Sequence, residues 1–393
     1  MHDSGRILSG AARVIAAVDS GRALLDEELD TADPRFRRSI SHLVLTFYRR
    51  RKQIDALLKP LIARPPHPAV RALLQAAATQ IFFQTGIAPE SAVNVAVDEA
   101  KSRKADKFVN AVLRQLCREQ PVFSNEPEKV LPGFFLERRR HGAELAQLTC
   151  AFLAGADFTF RLERDWPLEG VNAEELKSPA FRFFRGKPGE VLSSAPFRKH
   201  HIYVQDPAAS LAFQDLDLTG ASRALDLCAA PGGKTLMLAE LLPPDALLIA
   251  ADRSRNRQRV TRENLESRGV KAEIITALPE EITGVYDVVL ADIPCSNTGV
   301  FRRRPDALWR FSRAKLEELT KLQFQLLEQA ARLTAPGGKL IYSTCSIEDE
   351  ENRLQVEAFL ARHGEFSLVS MRQLLPDLHI DGAFASVLEK KNS

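Results

Sequence analysis

Two cysteines stand where a thiol could do chemistry. Cys295 lies in Ala291-Asp-Ile-Pro-Cys-Ser296, and Cys345 lies in Tyr342-Ser-Thr-Cys-Ser346, fifty residues on. Each closes an apolar run that reads as a buried strand. In a doubly wound α/β sheet, groups at the carboxyl ends of strands face the ligand crevice. Both thiols are therefore expected to look into one pocket. A thiolate is the nucleophile of choice for addition to an electron-poor carbon. For either cysteine alone, a small buried core residue is the competing reading.

A third segment supports the chemical reading. In Arg223-Ala-Leu-Asp-Leu-Cys-Ala-Ala-Pro-Gly-Gly-Lys-Thr235, a short apolar strand runs into a side-chain-poor turn and then a helix. Glycines let a ligand approach the backbone, and a helix N-terminus offers free N–H groups to an anion. A second strand, Leu247–Ala251, ends at Asp252, an acid placed to accept hydrogen bonds from ribose hydroxyls. Gly233-Lys234-Thr235 invites a phosphate-loop reading, but the first glycine of that motif would fall on Cys228. Pro231 also removes an N–H donor that a triphosphate cradle needs. The turn suits a nucleoside with a small charged tail, such as S-adenosylmethionine.

At this point the residues match a family. Asp226-Leu-Cys-Ala-Ala-Pro-Gly-Gly-Lys-Thr235, Asp292-Ile-Pro-Cys295 and Ser343-Thr-Cys-Ser346 resemble the Sun/Fmu-type RNA cytosine-C5 methyltransferases. Gln205-Asp-Pro207, Gly299–Asp306, Glu350-Glu-Asn352 and Asp381-Gly-Ala-Phe384 extend the similarity over most of residues 201–393. It implies an α/β Rossmann-like class I methyltransferase domain that uses S-adenosylmethionine; no C-x-x-C pair or His cluster in the sequence suggests a metal site.

By that resemblance Cys345 is the nucleophile, and Cys295 assists elimination and product release. Asp292 meets cytosine N3 or its amino group and also lies near the cofactor. Lys234 orients Asp292 or the cofactor carboxylate. The turn Cys228, Ala229, Ala230, Pro231, Gly232, Gly233 carries the cofactor, with Asp252 on its ribose and Arg257 nearby. Arg302, Arg303 and Arg304, beside the Pro-Cys loop, are candidates for substrate phosphates. The chain departs from the family in two places. Ile274–Leu278 lacks the Asp that ends the third strand in relatives, and Ile293 and Asn297 replace the Ala and Gly of the common Asp-Ala-Pro-Cys-Ser-Gly.

The elements that position these groups follow from periodicity. Strands are expected at 223–228, 246–251, 272–276, 286–291, 338–343 and near 383–388. Helices are expected at 233–242, 254–268, 313–334 and 348–362. Their alternation makes a Rossmann-like sheet with helices on both faces. Residues 1–122 read as all helical, punctuated by Pro60, Pro65, Pro66, Pro68 and Pro89. Their order resembles the RNA-binding NusB domain that precedes the catalytic part in the ribosomal, RsmB-like branch of the family. Residues 123–200 are expected to be a linker and a small, divergent RNA-binding segment. There Phe181, Phe183 and Phe184 read as core, with base stacking as the alternative.

Charge and composition bound the partners. Residues 1–140 hold 23 Lys and Arg against 16 Asp and Glu, and the remainder holds 31 against 35. A basic amino-terminal module on a near-neutral body suits a polyanion. Arg37, Arg38, Arg50 and Arg51 are its candidate phosphate contacts. No apolar run reaches the ~18–20 residues of a membrane span. Five widely spaced cysteines argue against a disulfide framework and fit the reducing cytoplasm. The expected protein is a monomeric enzyme acting on RNA, ribosomal RNA first. An inactive RNA-binding or ribosome-assembly protein, or the same chemistry on tRNA, are the alternatives.

Overall fold

A computed structural model describes residues 3–139, 142–178, 181–214 and 216–392. The chain divides into two compact units. One runs to Ala154 and takes in Arg303–Arg310; the other begins at Gly155 and includes the chain from Phe311 onward.

The first unit is helical: α1 (Asp3–Asp19), α2 (Leu25–Asp30), α3 (Arg37–Leu58), α4 (Pro68–Phe83), α5 (Pro89–Lys101), α6 (Asp106–Glu119), α7 (Pro127–Val130), α8 (Gly133–Arg138) and α9 (Gly142–Ala154). In α1 the buried Leu8, Ala11, Ala12, Ile15 and Val18 repeat at helical spacing and form one stripe. Pro68 and Pro89 open α4 and α5, where a missing N–H costs nothing. Helix α3 runs unbroken through Arg49-Arg-Arg-Lys52. Those side chains are good helix formers, and no Gly or Pro interrupts them.

The boundary expected after residue 122 is displaced. Val130, Leu131, Phe135, Leu148, Ala151 and Phe152 are fully or almost fully buried. Lys52 donates to the Leu131 carbonyl at 2.8 Å and Arg49 to that of Phe152 at 3.2 Å, so α7–α9 complete the helical unit. These bonds also revise the reading of the basic helix. Arg51 pairs with Asp19 at 2.9 Å and lies over Trp309. Arg50 lies over Phe83 and donates to Asn125 at 2.9 Å. Arg37 donates to the Asp30 carbonyl at 2.7 Å. All three are engaged within the unit, while Arg38 is exposed.

The second unit opens with a four-stranded antiparallel sheet. It is built from β1 (Thr159–Leu162), β2 (Ala173–Leu176), β3 (Arg182–Gly186) and β4 (Ile202–Val204), with short helices α10 (Pro188–Leu192) and α11 (Ala195–Arg198). Phe181, Phe183 and Phe184 are 5% exposed or less, which makes them core rather than a stacking platform.

The main sheet has seven strands: β5 (Arg223–Asp226), β6 (Leu247–Asp252), β7 (Glu273–Thr276), β8 (Tyr286–Asp292), β9 (Thr334–Thr344), β10 (Phe366–Leu374) and β11 (Ala383–Lys390). Their spatial order is β10-β11-β9-β8-β5-β6-β7. The pairs β5–β6, β5–β8, β6–β7 and β8–β9 are parallel, and β11 is antiparallel to both its neighbours. Successive residues alternate between two cores. Val289, Ala291, Leu340 and Tyr342 meet Leu327, Val356 and Phe359, while Val288, Leu290 and Ile341 meet Met237, Leu238 and Phe213. Burial on both faces explains why residues 288–291 in β8 are apolar without a break rather than alternating. The helices on these faces are α12 (Gly233–Leu241), α13 (Arg255–Glu266), α15 (Arg313–Leu333) and α16 (Arg353–Leu360). The intervening α14 (Asp306–Arg310) belongs to the helical unit. Strand β10 was not anticipated. It is an edge strand, exposes Leu368 and Val369, and carries no clean alternation.

Arg302 corrects a second expectation. Proposed from sequence as a phosphate contact, it is 0% exposed. Its Nε donates to the Gly155 carbonyl at 3.1 Å, Nη2 donates to that of Leu378, and Nη1 lies 3.7 Å from Asp381 Oδ1. It is a structural cation. Removing one member of a buried ion pair typically costs about 3–5 kcal/mol. Arg302→Ala is expected to lower urea-unfolding stability by roughly that amount, and a loss under ~1 kcal/mol would refute the structural assignment.

Candidate active site

Strand pairing assembles the site. Strands β8 and β9 run parallel with Asp292 opposite Ser343, and the Ile293 N–H donates to the Ser343 carbonyl at 3.1 Å. Cys295 and Cys345 leave these adjacent strand ends side by side, with their Sγ atoms 3.2 Å apart. Cys295 is buried and Cys345 half-buried. Asn297 takes φ +61°, a left-handed conformation that asparagine tolerates. Its Nδ2 donates to the Cys295 carbonyl and its Oδ1 accepts from the Cys345 thiol, each at 3.1 Å. The Gly299 N–H donates to the Cys345 carbonyl at 2.9 Å, and the Gly382 N–H to that of Gly299 at 2.8 Å. A Cβ at 299 would lie 2.7 Å from the carbonyl oxygens of both Cys345 and Gly382, so this approach requires glycine.

The glycine turn lies on the other flank of β8, because β5 pairs there with Asp226 opposite Leu290. Gly232 has φ +98° and caps α12, which begins at Gly233. Lys234, in the first turn of α12, places Nζ 2.8 Å from Asp292 Oδ2. Burial works against the ammonium, but the Asp292 carboxylate holds the Lys234 pKa above its usual value. Asp252 ends β6, is 5% exposed and lies 3.5 Å from Arg257. Arg257 also donates to the Ala230 carbonyl, tying the turn to that acid. Burial and the nearby carboxylates push the Cys228 thiol up, so Cys228 contributes to the turn as a neutral group.

Three carboxylates therefore stand at the ends of β5, β6 and β8, and two of them, Asp226 and Asp292, act on Lys234. Asp226 accepts from Thr235 Oγ1 at 2.7 Å through Oδ2, while its buried Oδ1 has no hydrogen-bond partner. This donor and acceptor set fits a ligand that carries hydroxyls and positive charge, as S-adenosylmethionine does. Strand β7 ends at Thr276 without a carboxylate, as the departure from the family pattern implied.

One feature of the site was missed from sequence. Glu351 is a fully buried carboxylate behind the thiols. Its Oε1 accepts from the Ser296 N–H and from Gln323 Nε2, each at 2.8 Å, and its Oε2 accepts from the hydroxyls of Ser296 and Ser346. The stretch Glu350-Glu351-Asn352 held the signal: polar residues directly after a strand end and before a helix. The Cys295 thiol is pushed well above its usual pKa by its hydrogen bond with Cys345, by burial and by the Glu351 charge.

Burial raises the Asp226 carboxyl from 3.8 to about 7. The folded chain then binds this proton more tightly than the unfolded chain, so stability falls as pH rises between those values. Three pK units correspond to an upper bound of about 4 kcal/mol. Asp226→Asn is expected to remove that slope. Urea melts from pH 4 to 8 should show the variant gaining on the parent toward high pH, and a constant difference would contradict the assignment.

Comparison with known proteins agrees with this architecture. Residues 213–381 match the family model described as 16S rRNA methyltransferase RsmB/F, and residues 8–118 match the NusB family. The ribosomal RNA small subunit methyltransferase B of Xylella fastidiosa is 34% identical over 90% of this chain and 90% of its own. That of Pseudomonas syringae pv. tomato is 33% identical over 90% of this chain and 86% of its own. The crystal structure of PH0851 superposes with a TM-score of 0.82 at 26% identity, covering 98% of this chain and 99% of that one. With a relative of this identity aligned over nine-tenths of its length, the chain belongs to the ribosomal RNA small subunit methyltransferase B family.

Proposed function

We propose that the chain transfers a methyl group from S-adenosylmethionine to C5 of a cytosine in 16S ribosomal RNA, through a covalent bond between Cys345 and C6. Family membership supports the reaction class and the RNA substrate. The observation that carries the covalent route is the contact of two thiols beside the Lys234–Asp292 pair.

Cytosine C5 is a weak nucleophile. Attack of the Cys345 thiolate on C6 forms a C–S bond, breaks the C5–C6 double bond and leaves C5 as an enamine carbon. The bound cofactor supplies an electrophilic methyl group, which C5 accepts. Loss of the C5 proton to a base then restores the double bond and expels Cys345. Asp292, fixed by Lys234, accepts from the cytosine amino group or meets N3, so the base is held while C6 is attacked. Cys295 keeps its proton in the free protein, because the shift described above disfavours its thiolate. Its S–H is 3.2 Å from the sulfur that must leave, and a hydrogen bond there stabilises the departing thiolate. Asp252 and the turn from Cys228 to Gly233 hold the cofactor. On the helical unit, exposed Arg38 and Arg304 serve as phosphate contacts, although Arg304 first has to release Asp26, 2.5 Å away.

Methyl transfer to unmodified 16S rRNA, followed with a labelled donor, tests the reading. Cys345→Ala should reduce it by at least about a thousandfold. Cys295→Ala should instead accumulate a protein–RNA adduct that survives denaturant. An adduct formed by Cys345→Ala would reverse the two assignments, and no methyl transfer by the parent protein would remove the proposal.

A further inference from the structure

We propose that Glu351 is the positioning residue that sets the separation of the two site thiols, a role that rests on the two-cysteine reading above. The carboxylate is 0% exposed and touches no reacting atom. Its partners are distributed in a specific way. Ser296 and Ser346, whose hydroxyls both donate to Oε2, are the residues immediately after Cys295 and Cys345. The Ser296 N–H donates to Oε1 as well. The fourth donor, Gln323, reaches from α15 and also donates to the Pro294 carbonyl at 3.0 Å, on the other side of Cys295. One oxygen atom therefore joins the two cysteine loops, and the Cys295 loop is gripped on both sides of its thiol.

The carboxylate itself is anchored to the strand that carries Cys345. Tyr342 donates its hydroxyl proton to the Glu351 carbonyl at 2.5 Å. The next residue, Asn352, accepts from Thr344 Oγ1 at 2.6 Å and donates to the Ser346 carbonyl at 2.9 Å. A carboxylate buried this deeply is tolerated only when its lone pairs are filled, and here every donor comes from, or also grips, a segment next to a cysteine. An apolar residue of similar volume would fill the space but remove the acceptor that both serines share, leaving the bonds through Asn297 and Gly299 to join the loops.

The test reads thiol separation directly. Diamide takes two electrons and two protons from Cys295 and Cys345 and leaves them as a disulfide, and peptide mass spectrometry follows its rate in the folded protein. This readout needs neither RNA nor methyl donor, so it stands even if the chain fails to methylate rRNA. Glu351→Ala, and the milder double variant Ser296→Ala/Ser346→Ala, are expected to slow closure about tenfold. They should also lower kcat about 100-fold with KM within about threefold, as loss of geometry rather than of binding requires. Glu351→Gln should recover most of both, because serine hydroxyls can turn to accept from the amide. If closure by the folded variants stays at the parental rate while kcat falls in step with melting temperature, Glu351 is only a stabilising residue and the proposal fails.

Discussion

The parallel register of β8 and β9 is the constraint on which the site depends. Side chains along a strand alternate between faces, so a slip of one residue would exchange the two cores. Leu340 and Tyr342 would turn toward α12, and Ile341 toward α15 and α16. Burial on both faces therefore fixes Asp292 opposite Ser343, and with it the contact between Cys295 and Cys345. The backbone bonds through Gly299 add a second lock, since they join the Pro-Cys loop, the Cys345 loop and the segment before β11. The thiols meet because the hydrophobic pattern admits one pairing and glycine admits one close approach.

Electrostatics then separates the roles of neighbouring groups. Around Lys234 stand carboxylates with different surroundings. Asp226 is buried at the end of β5 with one oxygen unpartnered, and its proton is retained to near neutrality. Asp292 has the ammonium beside it. The cysteines divide in the same way. Cys295 lies nearer to burial and to the Glu351 charge, which favours its neutral form. Cys345 is the more accessible of the two, with Asn297 Oδ1 as its acceptor. The asymmetry supports a nucleophile and an assisting thiol in place of two equivalent ones, and it arises from position around one buried acid.

The sequence was legible where function and fold share a local pattern. The strand–turn–helix from Arg223, both cysteine strands and the helix from Arg313 lie within a few residues of their expected limits, because each carries its periodicity in consecutive residues. What failed to show was set by distant partners. Among the strands β10 pairs with β11 alone, and its own residues are mixed in polarity. Of the helices just after residue 122, α7 and α8 are short, and what assigns α7–α9 to the first unit is bonding to Arg49 and Lys52 on α3. Glu351 was visible as a motif without a role, since its four donors come from three separate segments.

Arg302, Arg303 and Arg304 show why a run of like charge is a weak indicator of a nucleic-acid surface. Arg302 is sealed inside the catalytic unit, Arg303 is half-buried, and Arg304 is exposed and paired with Asp26. The chain passes from one unit to the other at Ala154–Gly155 and again at Arg302–Arg303. The buried guanidinium binds the Gly155 carbonyl, so it ties the first crossing point to the second. It also meets Asp381, which directly precedes Gly382, the residue that bonds to Gly299. A planar group with five donors can satisfy carbonyls in different directions and a carboxylate at once, and lysine, with one donor atom, could not. Arg302, one of three candidates for a substrate phosphate, is thus part of the scaffold behind the Pro-Cys loop.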